Sequence, residues 1–234
     1  MPQDKRVAAI IGVGPGLGMS LARRFGREGF RVALVSRGGA RHGGYLADLA
    51  KNGVEATAHT ADVTDAERLA DVLAEIGDIE VAYYGPTPVQ PIVPITEVDV
   101  PIARSAFDWV WPAVQVVHTV LPGMLARGTG GLIFAGGLSA VRPMPALGQL
   151  VLPTAALRNY ALTLNAALTD RGIYAGALTI GGLIERGDIH AMITADPAKY
   201  GTIAGHTLNP DHVADAAWNM YQIRDRAEQV FDAF

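Results

Sequence analysis

The feature that most constrains the fold of this chain is a regular alternation of short apolar runs with segments of helical pattern. The runs show little alternation between polar and apolar residues, as expected for strands that helices cover on both faces. The strand-like runs are 6–14, 31–37, 55–64, 79–86, 130–137 and 173–182. The helical segments between and after them are 18–30, 45–53, 65–78, 102–125 and 148–168.

Repeated β-α units joined by right-handed connections form a doubly wound parallel sheet. We therefore expect an α/β protein with a single-domain Rossmann fold, its parallel sheet flanked by helices, over residues 1–234. The segment 185–209 departs from this rhythm and contains a proline and several glycines. It follows the carboxyl end of a strand, which predicts a lid or substrate-binding loop; the alternative is a surface excursion with a short helix.

Composition excludes several classes of function. The chain has a formal net charge of -4 and no basic block, so neither nucleic acid nor an anionic membrane is an expected partner. It has no cysteine, which excludes disulfides and thiolate chemistry. The apolar run near the N-terminus is too short for a membrane span, so we expect a cytoplasmic protein. No His, Asp or Glu cluster has metal-ligand spacing.

A glycine-rich turn, GVGPGLG, lies between the first predicted strand and the first predicted helix. Glycines there permit a tight turn and a close approach of the backbone to a pyrophosphate, and the helix N-terminus favours an anion. We expect this turn to bind a dinucleotide, with contacts from Gly12, Gly16, Leu17 and Gly18. The alternative is a turn with a purely structural role.

The second predicted strand ends in VSRGGAR, where a dinucleotide bound at the first turn places its adenosine ribose. An acidic residue here would favour NAD, but the chain has Ser36 and Arg37, with Arg41 close behind. An arginine can donate two hydrogen bonds to a 2′-phosphate, so NADP (NADPH) is the expected cofactor and NAD is disfavoured. The alternative is that these arginines belong to a solvated loop.

The third predicted strand leads into ADVTD. Asp62 and Val63 lie at the expected carboxyl edge of the sheet, where they are candidates to hold the adenine. Asp65 and Thr64 are both candidates to cap the next helix.

These motifs together resemble the short-chain dehydrogenase/reductase family. The resemblance rests on Gly12, Gly16 and Gly18, and on four short motifs. These motifs are DVT at 62–64, LPGM at 121–124, AAL at 155–157 and TIGGLI at 179–184. It implies a nicotinamide cofactor, with Gly85 and Leu183 as further contacts.

The resemblance also implies where the family's catalytic asparagine, serine, tyrosine and lysine should stand. With AAL as the anchor, Leu150 stands at the tyrosine and Thr154 at the lysine, while Gly137 stands at the serine. Counting back from LPGM places Trp109 at the asparagine. Leucine, glycine and tryptophan cannot give a proton to a carbonyl oxygen, and threonine carries no charge to lower a neighbour's pKa. We therefore expect an atypical member that lacks the tetrad.

Three other side chains are candidates for a substitute proton donor. Ser139 is two residues past Gly137, although it is equally a candidate to cap a turn. Tyr84 closes the fourth strand, where packing against the cofactor is the alternative role. His190 lies in the predicted lid and is a candidate general acid; the alternative is an exposed loop histidine.

The function expected from these observations is NADP(H)-dependent reduction of a small apolar alkene, imine or carbonyl compound with a non-standard proton donor. Leu150, Leu152, Met144 and Trp109 are the expected lining of an apolar pocket. The alternatives are a redox-inactive protein that binds a nucleotide, ligand or partner subunit, and a redox-neutral cyclase or isomerase. The predicted helices 102–125 and 150–168 are apolar on more than one face, so we expect a homodimer or homotetramer.

Overall fold

The fold is a seven-stranded parallel sheet covered by helices on both faces, in a computed structural model that describes residues 5–86, 92–196 and 201–234. The strand order is β3-β2-β1-β4-β5-β6-β9, and every pair in this sheet is parallel. A separate two-stranded sheet pairs β7 with β8. The strands are β1 (Val7–Ile11), β2 (Arg31–Ser36), β3 (Ala56–Thr60), β4 (Ile79–Tyr84), β5 (Gly130–Gly137), β6 (Ile173–Gly181), β7 (Leu183–Ile184), β8 (Thr207–Leu208) and β9 (Glu228–Asp232). The predicted single-domain, doubly wound α/β fold is confirmed.

The helices alternate with these strands along the chain. They are α1 (Leu17–Arg27), α2 (His42–Lys51), α3 (Ala66–Ile76), α4 (Val100–Ala106), α5 (Trp111–Arg127), α6 (Gly148–Leu168), α7 (Asp188–Ala195) and α8 (Pro210–Ile223). No helix within the described ranges is long and apolar enough to cross a membrane. The expected cytoplasmic location stays a prediction.

The sheet separates two hydrophobic cores. Along β1, Ala9 and Ile11 contribute to the core beneath α3, α5 and α6, whereas Ala8 and Ile10 contribute to the core beneath α1 and α8. Both sets are fully buried, which is why the strands read as continuous apolar runs.

The prediction of one long helix over 102–125 is wrong, because the structure has two helices there, α4 and α5. Chain turns at 107–110 separate α4 from α5. Asp99 caps α4 by accepting a hydrogen bond from the backbone N–H of Ile102 at 2.8 Å. Pro112 lies in the first turn of α5, where its missing N–H group costs no intrahelical hydrogen bond. Pro112 therefore marks the start of α5, whereas Pro122 lies inside that helix.

The seventh strand of the sheet, β9, was not expected from the sequence. Its segment has only two large apolar residues, and its first residue, Glu228, is acidic. That carboxylate accepts hydrogen bonds from Thr179 of β6 at 2.6 Å and from Arg158 Nε of α6 at 2.7 Å. Arg158 and Thr179 therefore stabilise the carboxylate of Glu228 at the point where β9 pairs with β6.

The predicted lid, 185–209, starts and ends at the small sheet. Leu183 donates its N–H to the carbonyl of His206 at 2.8 Å, and the N–H of Glu185 donates to the carbonyl of Leu208 at 3.0 Å. The segment therefore leaves and rejoins the domain at one place, and it contains α7 as a short helix. Residues 197–200 lie outside the described residues. That this segment acts as a lid stays a prediction.

Candidate nucleotide and substrate site

The strand order reverses direction between β1 and β4, and this is where parallel α/β sheets bind ligands. The two strands pair up to Ile11 and Tyr84 at their carboxyl ends. Beyond them, the N–H of Gly85 donates to the carbonyl of Ile11 at 3.0 Å. The loops after the two strands, which carry the predicted contacts Gly12 and Gly85, therefore lie side by side.

Gly12 makes this close approach possible. Its φ of 87° is in the left-handed region, and a Cβ atom there would lie only 2.5 Å from the backbone nitrogen of Pro86. Gly18 has a different reason to be glycine, because its Cβ would lie 2.8 Å from the Cα of Val13. One glycine packs the turn against the β4 loop, and the other packs α1 against the turn.

The N-terminus of α1 fits a diphosphate. No side chain in the described part of the chain caps it, and its first turn has no acidic residue. The first N–H groups of a helix lack intrahelical partners, and they favour an anion. A Cβ on Gly14 would meet nothing within 4 Å, so this stretch of backbone faces open space. The side chain of Leu17 is buried in the core, so Leu17 can contribute only backbone to such a site.

Gly16 lies under the segment that follows β7. Its Cβ would be 2.9 Å from Ile184 Cγ2 and 3.0 Å from the backbone nitrogen of Gly187. Arg186, which sequence reasoning missed, has a left-handed φ of 64° and pairs with Asp211 of α8 at 2.8 Å. These contacts hold the beginning of the 185–209 segment against the glycine turn.

The end of β2 carries the predicted ribose contacts. The hydroxyl of Ser36 donates to the carbonyl of Gly38 at 3.1 Å and lies 2.8 Å from His42 Nε2. The side chain of Arg37 is exposed and makes no hydrogen bond within the described residues. Arg41, by contrast, forms an ion pair with Asp188 of α7 at 2.8 Å. Of these two arginines, Arg37 is therefore the one whose guanidinium makes no hydrogen bond or ion pair within the described residues, although its charge acts on Asp62.

Two carboxylates, those of Asp62 and Asp65, accept hydrogen bonds in the loop that follows β3. Asp62 accepts hydrogen bonds from the backbone N–H of Thr64 at 3.0 Å and from its hydroxyl at 2.8 Å. These bonds lower the pKa of Asp62, and Arg37 adds a smaller contribution in the same direction. Asp65, rather than Thr64, caps α3 by accepting from the N–H of Arg68 at 3.0 Å. Val63 is buried in the core.

The first turns of α6 carry the residues that the resemblance places at the tyrosine and lysine. Thr154 is buried, and its hydroxyl lies 3.0 Å from the hydroxyl of Ser139 and 2.6 Å from the carbonyl of Leu150. Because a hydroxyl has one proton, Thr154 can donate to Leu150 while it accepts from Ser139. A Cβ on Gly137 would lie 3.4 Å from Thr154 Cγ2 and 3.6 Å from Ser139 Oγ. The structure brings Leu150, Thr154, Gly137 and Ser139 together, and the two hydroxyls bond to each other and to the Leu150 carbonyl.

Tyr84 is fully buried at the end of β4, and its hydroxyl donates to the backbone carbonyl of Trp109. Burial raises the pKa of this phenol, which makes it a weaker acid. The indole Nε1 of Trp109 is also buried, and it has no hydrogen-bond partner among the described residues. Tyr84 is thus near the site, but its proton is directed at backbone.

The other two predicted contacts lie on the segment after β6. Leu183 is buried at the start of β7, and His190 is half-buried in α7, two residues after Asp188. The roles of Ser139, Tyr84 and His190 as donors stay predictions. No group of three or more His, Cys, Asp or Glu side chains suited to a metal ion occurs within 5–86, 92–196 and 201–234.

The glycine turn yields a direct test. Gly12→Ala forces an alanine into a left-handed φ and against the backbone of Pro86, so it should destabilise the fold by about 1–3 kcal/mol. Gly14→Ala is the matched control, because its Cβ would meet open space, and it should retain nearly full stability. Chemical denaturation of both variants measures the difference. Equal stability would contradict the close approach at Gly12.

Comparison with known proteins gives the family. A family model described as short chain dehydrogenase matches residues 6–186. A 1-deoxy-11-beta-hydroxypentalenate dehydrogenase from Streptomyces exfoliatus is 34% identical over 147 residues, covering 60% of this chain and 54% of that protein. The chain thus spans about half the length of this relative. The protein of the same name from Streptomyces avermitilis is 27% identical over 220 residues, covering 91% of this chain and 79% of that protein.

A solved structure described as a short chain dehydrogenase/reductase family protein has a TM-score of 0.83 and 22% identity. It covers 100% of this chain, and this chain covers 98% of it, so the fold is shared along the whole length. The match to the family model covers well over half of the chain. The chain therefore belongs to the short-chain dehydrogenase/reductase family of oxidoreductases.

Proposed function

We propose that this protein is an NADP(H)-binding oxidoreductase that acts on a small apolar substrate without the family's usual proton-donor set. The observation that carries this proposal is a contrast within one site. The nucleotide-facing backbone is intact, with an uncapped α1 N-terminus beside open space at Gly14. The hydroxyls of Ser139 and Thr154, at the other end of the site, bond to each other.

The cofactor preference rests on the charges at the end of β2. A 2′-phosphate carries close to two negative charges, and a planar guanidinium matches it well. Arg37 is exposed there, and the β2 end has Ser36 where an acidic residue would favour NAD. Asp62, on the loop between β3 and α3, already accepts two hydrogen bonds from Thr64. When bound, the nicotinamide would supply or accept the hydride.

The missing proton donor rests on the first turns of α6. Leu150 stands where the family resemblance places the tyrosine, and Thr154 where it places the lysine. An aliphatic side chain cannot donate a proton, and a buried threonine that donates to the Leu150 carbonyl offers neither charge nor a spare proton. Hydride transfer would therefore depend on a different donor or on an acceptor that needs little protonation.

An apolar substrate is supported by the side chains at this end of the site. Leu150 and Met144 are half-buried, and Trp109 is 7% exposed. Leu152 departs from the pocket expected from the sequence, because it is 51% exposed on the outer side of α6. Leu150, Met144 and Trp109 therefore remain as the proposed apolar lining.

A second candidate is a redox-inactive protein that binds a nucleotide or ligand. The same closed pair of Ser139 and Thr154 favours it, as does the phenol of Tyr84, whose proton is directed at the Trp109 carbonyl. A redox-neutral cyclase or isomerase is the third reading, since such an enzyme would use the pocket for its shape. Cofactor oxidation across several substrate classes separates the first proposal from both.

NADPH should bind more tightly than NADH. Arg37→Asp removes charge-assisted hydrogen bonds and adds repulsion, so it should weaken NADPH binding by about 1–3 kcal/mol while changing NADH binding much less. Arg171→Asp, an exposed change of the same charge at the amino edge of β6, is the control. Titrations followed by tryptophan fluorescence give all the affinities. A preference of the wild type for NADH would contradict the proposed preference for NADP(H).

Simple ketones should be reduced at close to the background rate. General acid catalysis contributes about 10²–10⁴-fold, and the described residues at the α6 end give no obvious replacement for it. NADPH oxidation should be measured with ketones, enones and imines for the wild type and for Ser139→Ala, Tyr84→Phe and His190→Ala. The variant that loses activity on enones or imines identifies the donor.

Robust ketone reduction by the wild type would show that the site does contain an effective proton donor. Loss of turnover on every class, with NADPH binding intact, would favour the redox-inactive reading. Leu150→Tyr combined with Thr154→Lys tests the positional assignment, because a gain of ketone reduction requires both residues to face the nicotinamide.

The protein should form a homodimer or homotetramer. Trp111 and Val114 on α5 are 61% and 40% exposed, and Leu152 on α6 is 51% exposed. Large apolar side chains on two neighbouring helices favour burial against another subunit. Light scattering at micromolar concentration should give a multiple of 24.6 kDa, and Trp111→Glu should shift the mass toward one subunit. A monomeric wild type would refute this.

A further inference from the structure

An imidazole, that of His42, lies beside the end of β2. His42 is the first residue of α2, and its Nε2 lies 2.8 Å from Ser36 Oγ. When Ser36 gives its single proton to the Gly38 carbonyl, Nε2 is the donor in the bond to Ser36. The other ring nitrogen, Nδ1, lies 3.6 Å from where a Cβ of Gly39 would be. The ring therefore lies against the same short loop that follows Arg37.

The charged groups near this ring come from the β2–α2 loop, α7, β3, α3 and the β3–α3 loop. Arg37 precedes the loop, and Arg41 is adjacent to His42 in the chain, where Asp188 of α7 pairs with it. His59 of β3 lies near enough to repel a charged His42, and Glu75 of α3 pairs with His59 at 3.4 Å. Asp62 faces Arg37 from the loop after β3. Each of these carboxylates already has its own partner, so none of them is dedicated to His42.

We propose that His42 is a titratable third partner of the 2′-phosphate, beside Arg37 and Ser36, and that NADPH binding takes up a proton there. This inference rests on the proposed NADP(H) function. Burial, and to a smaller extent the charge of His59, lower the pKa of His42, so the free protein holds it neutral at neutral pH. A dianionic phosphate close to the ring would favour the imidazolium, which adds a second N–H donor.

The sign of the pH dependence follows from this coupling. A ligand that prefers the protonated ring raises its pKa in the complex, so affinity is highest at low pH and falls as pH rises through that pKa. The phosphate itself has a second pKa of about 6, so the informative range lies above about pH 6.5. Between there and about pH 8.5, the ratio of NADPH to NADH affinity should fall by about tenfold, which requires the complex to raise the pKa of His42 by more than one unit, because part of that rise lies below this range.

Isothermal titration calorimetry tests this without relying on turnover. NADPH and NADH are titrated into the whole protein at pH 7.5, in two buffers with different enthalpies of ionisation. Proton uptake should be larger with NADPH than with NADH, by a substantial fraction of one proton. His42→Gln should abolish the difference, because an amide still donates to Ser36 but does not titrate. His59→Gln, which changes the neighbouring imidazole, should keep it.

The possible outcomes distinguish the role of His42 from the proposed NADP(H) function on which it rests. Equal proton uptake for both nucleotides, or an unchanged difference in His42→Gln, overturns the role of His42 and leaves the NADP(H) function intact. Loss of the difference in His59→Gln but not in His42→Gln assigns the proton to His59 and also overturns the inference. If neither nucleotide binds, the proposed function and this inference both fail.

Discussion

The contact between Gly12 and the backbone of Pro86 is the constraint on which the site depends. Strand order reverses between β1 and β4, so the loops that follow them diverge and leave a crevice. The crevice closes at its base only because Gly12 has no Cβ and adopts a left-handed φ of 87°. From that point, α1 starts with its N–H groups toward the crevice, and β2 delivers Ser36 and Arg37 to its side.

The opposite end of the crevice has a different chemical character. Thr154 and Ser139 share a hydrogen bond at 3.0 Å, and Thr154 also lies 2.6 Å from the Leu150 carbonyl. When Thr154 donates to the helix backbone and accepts from Ser139, both hydroxyl protons are directed at groups of the protein itself. A site with an anion-binding backbone at one end and an aliphatic wall at the other would suit hydride transfer to an acceptor that needs little protonation.

Most of the fold was predictable from sequence because β1, β2, β4, β5 and β6 are mostly buried and are therefore rich in apolar residues. Gly12, Gly16 and Gly18 were identified by their spacing, and the structure gives Gly12 and Gly18 distinct steric reasons. The break before Pro112 was missed because the apolar pattern continues through it, although a proline in a helical pattern is itself a signal. The strand β9 was missed because its stability comes from Glu228 with Thr179 and Arg158, partners remote in sequence.

Within the site, the sequence indicated which residues lie there, but it could not indicate which hydrogen bonds they make. It placed Ser139 and Tyr84 near the chemistry, but the acceptors of their protons, Thr154 and the Trp109 carbonyl, follow from packing. His42 lies six residues after Ser36, and only the first turn of α2 brings the two together at 2.8 Å. The sequence places Arg41 close behind Arg37 and favours Arg37 as the cofactor contact, and the ion pair of Arg41 with Asp188, which is remote in sequence, distinguishes the two.

A crystal structure of the NADPH complex tests the central claim most directly, because it shows both ends of the crevice at once. We predict the diphosphate at the N-terminus of α1, the 2′-phosphate beside Arg37, and Leu150 rather than an ionisable group facing C4 of the nicotinamide. A nucleotide that avoids the glycine turn would contradict the account. So would a tyrosine, lysine or histidine of this chain poised over C4 from the α6 side.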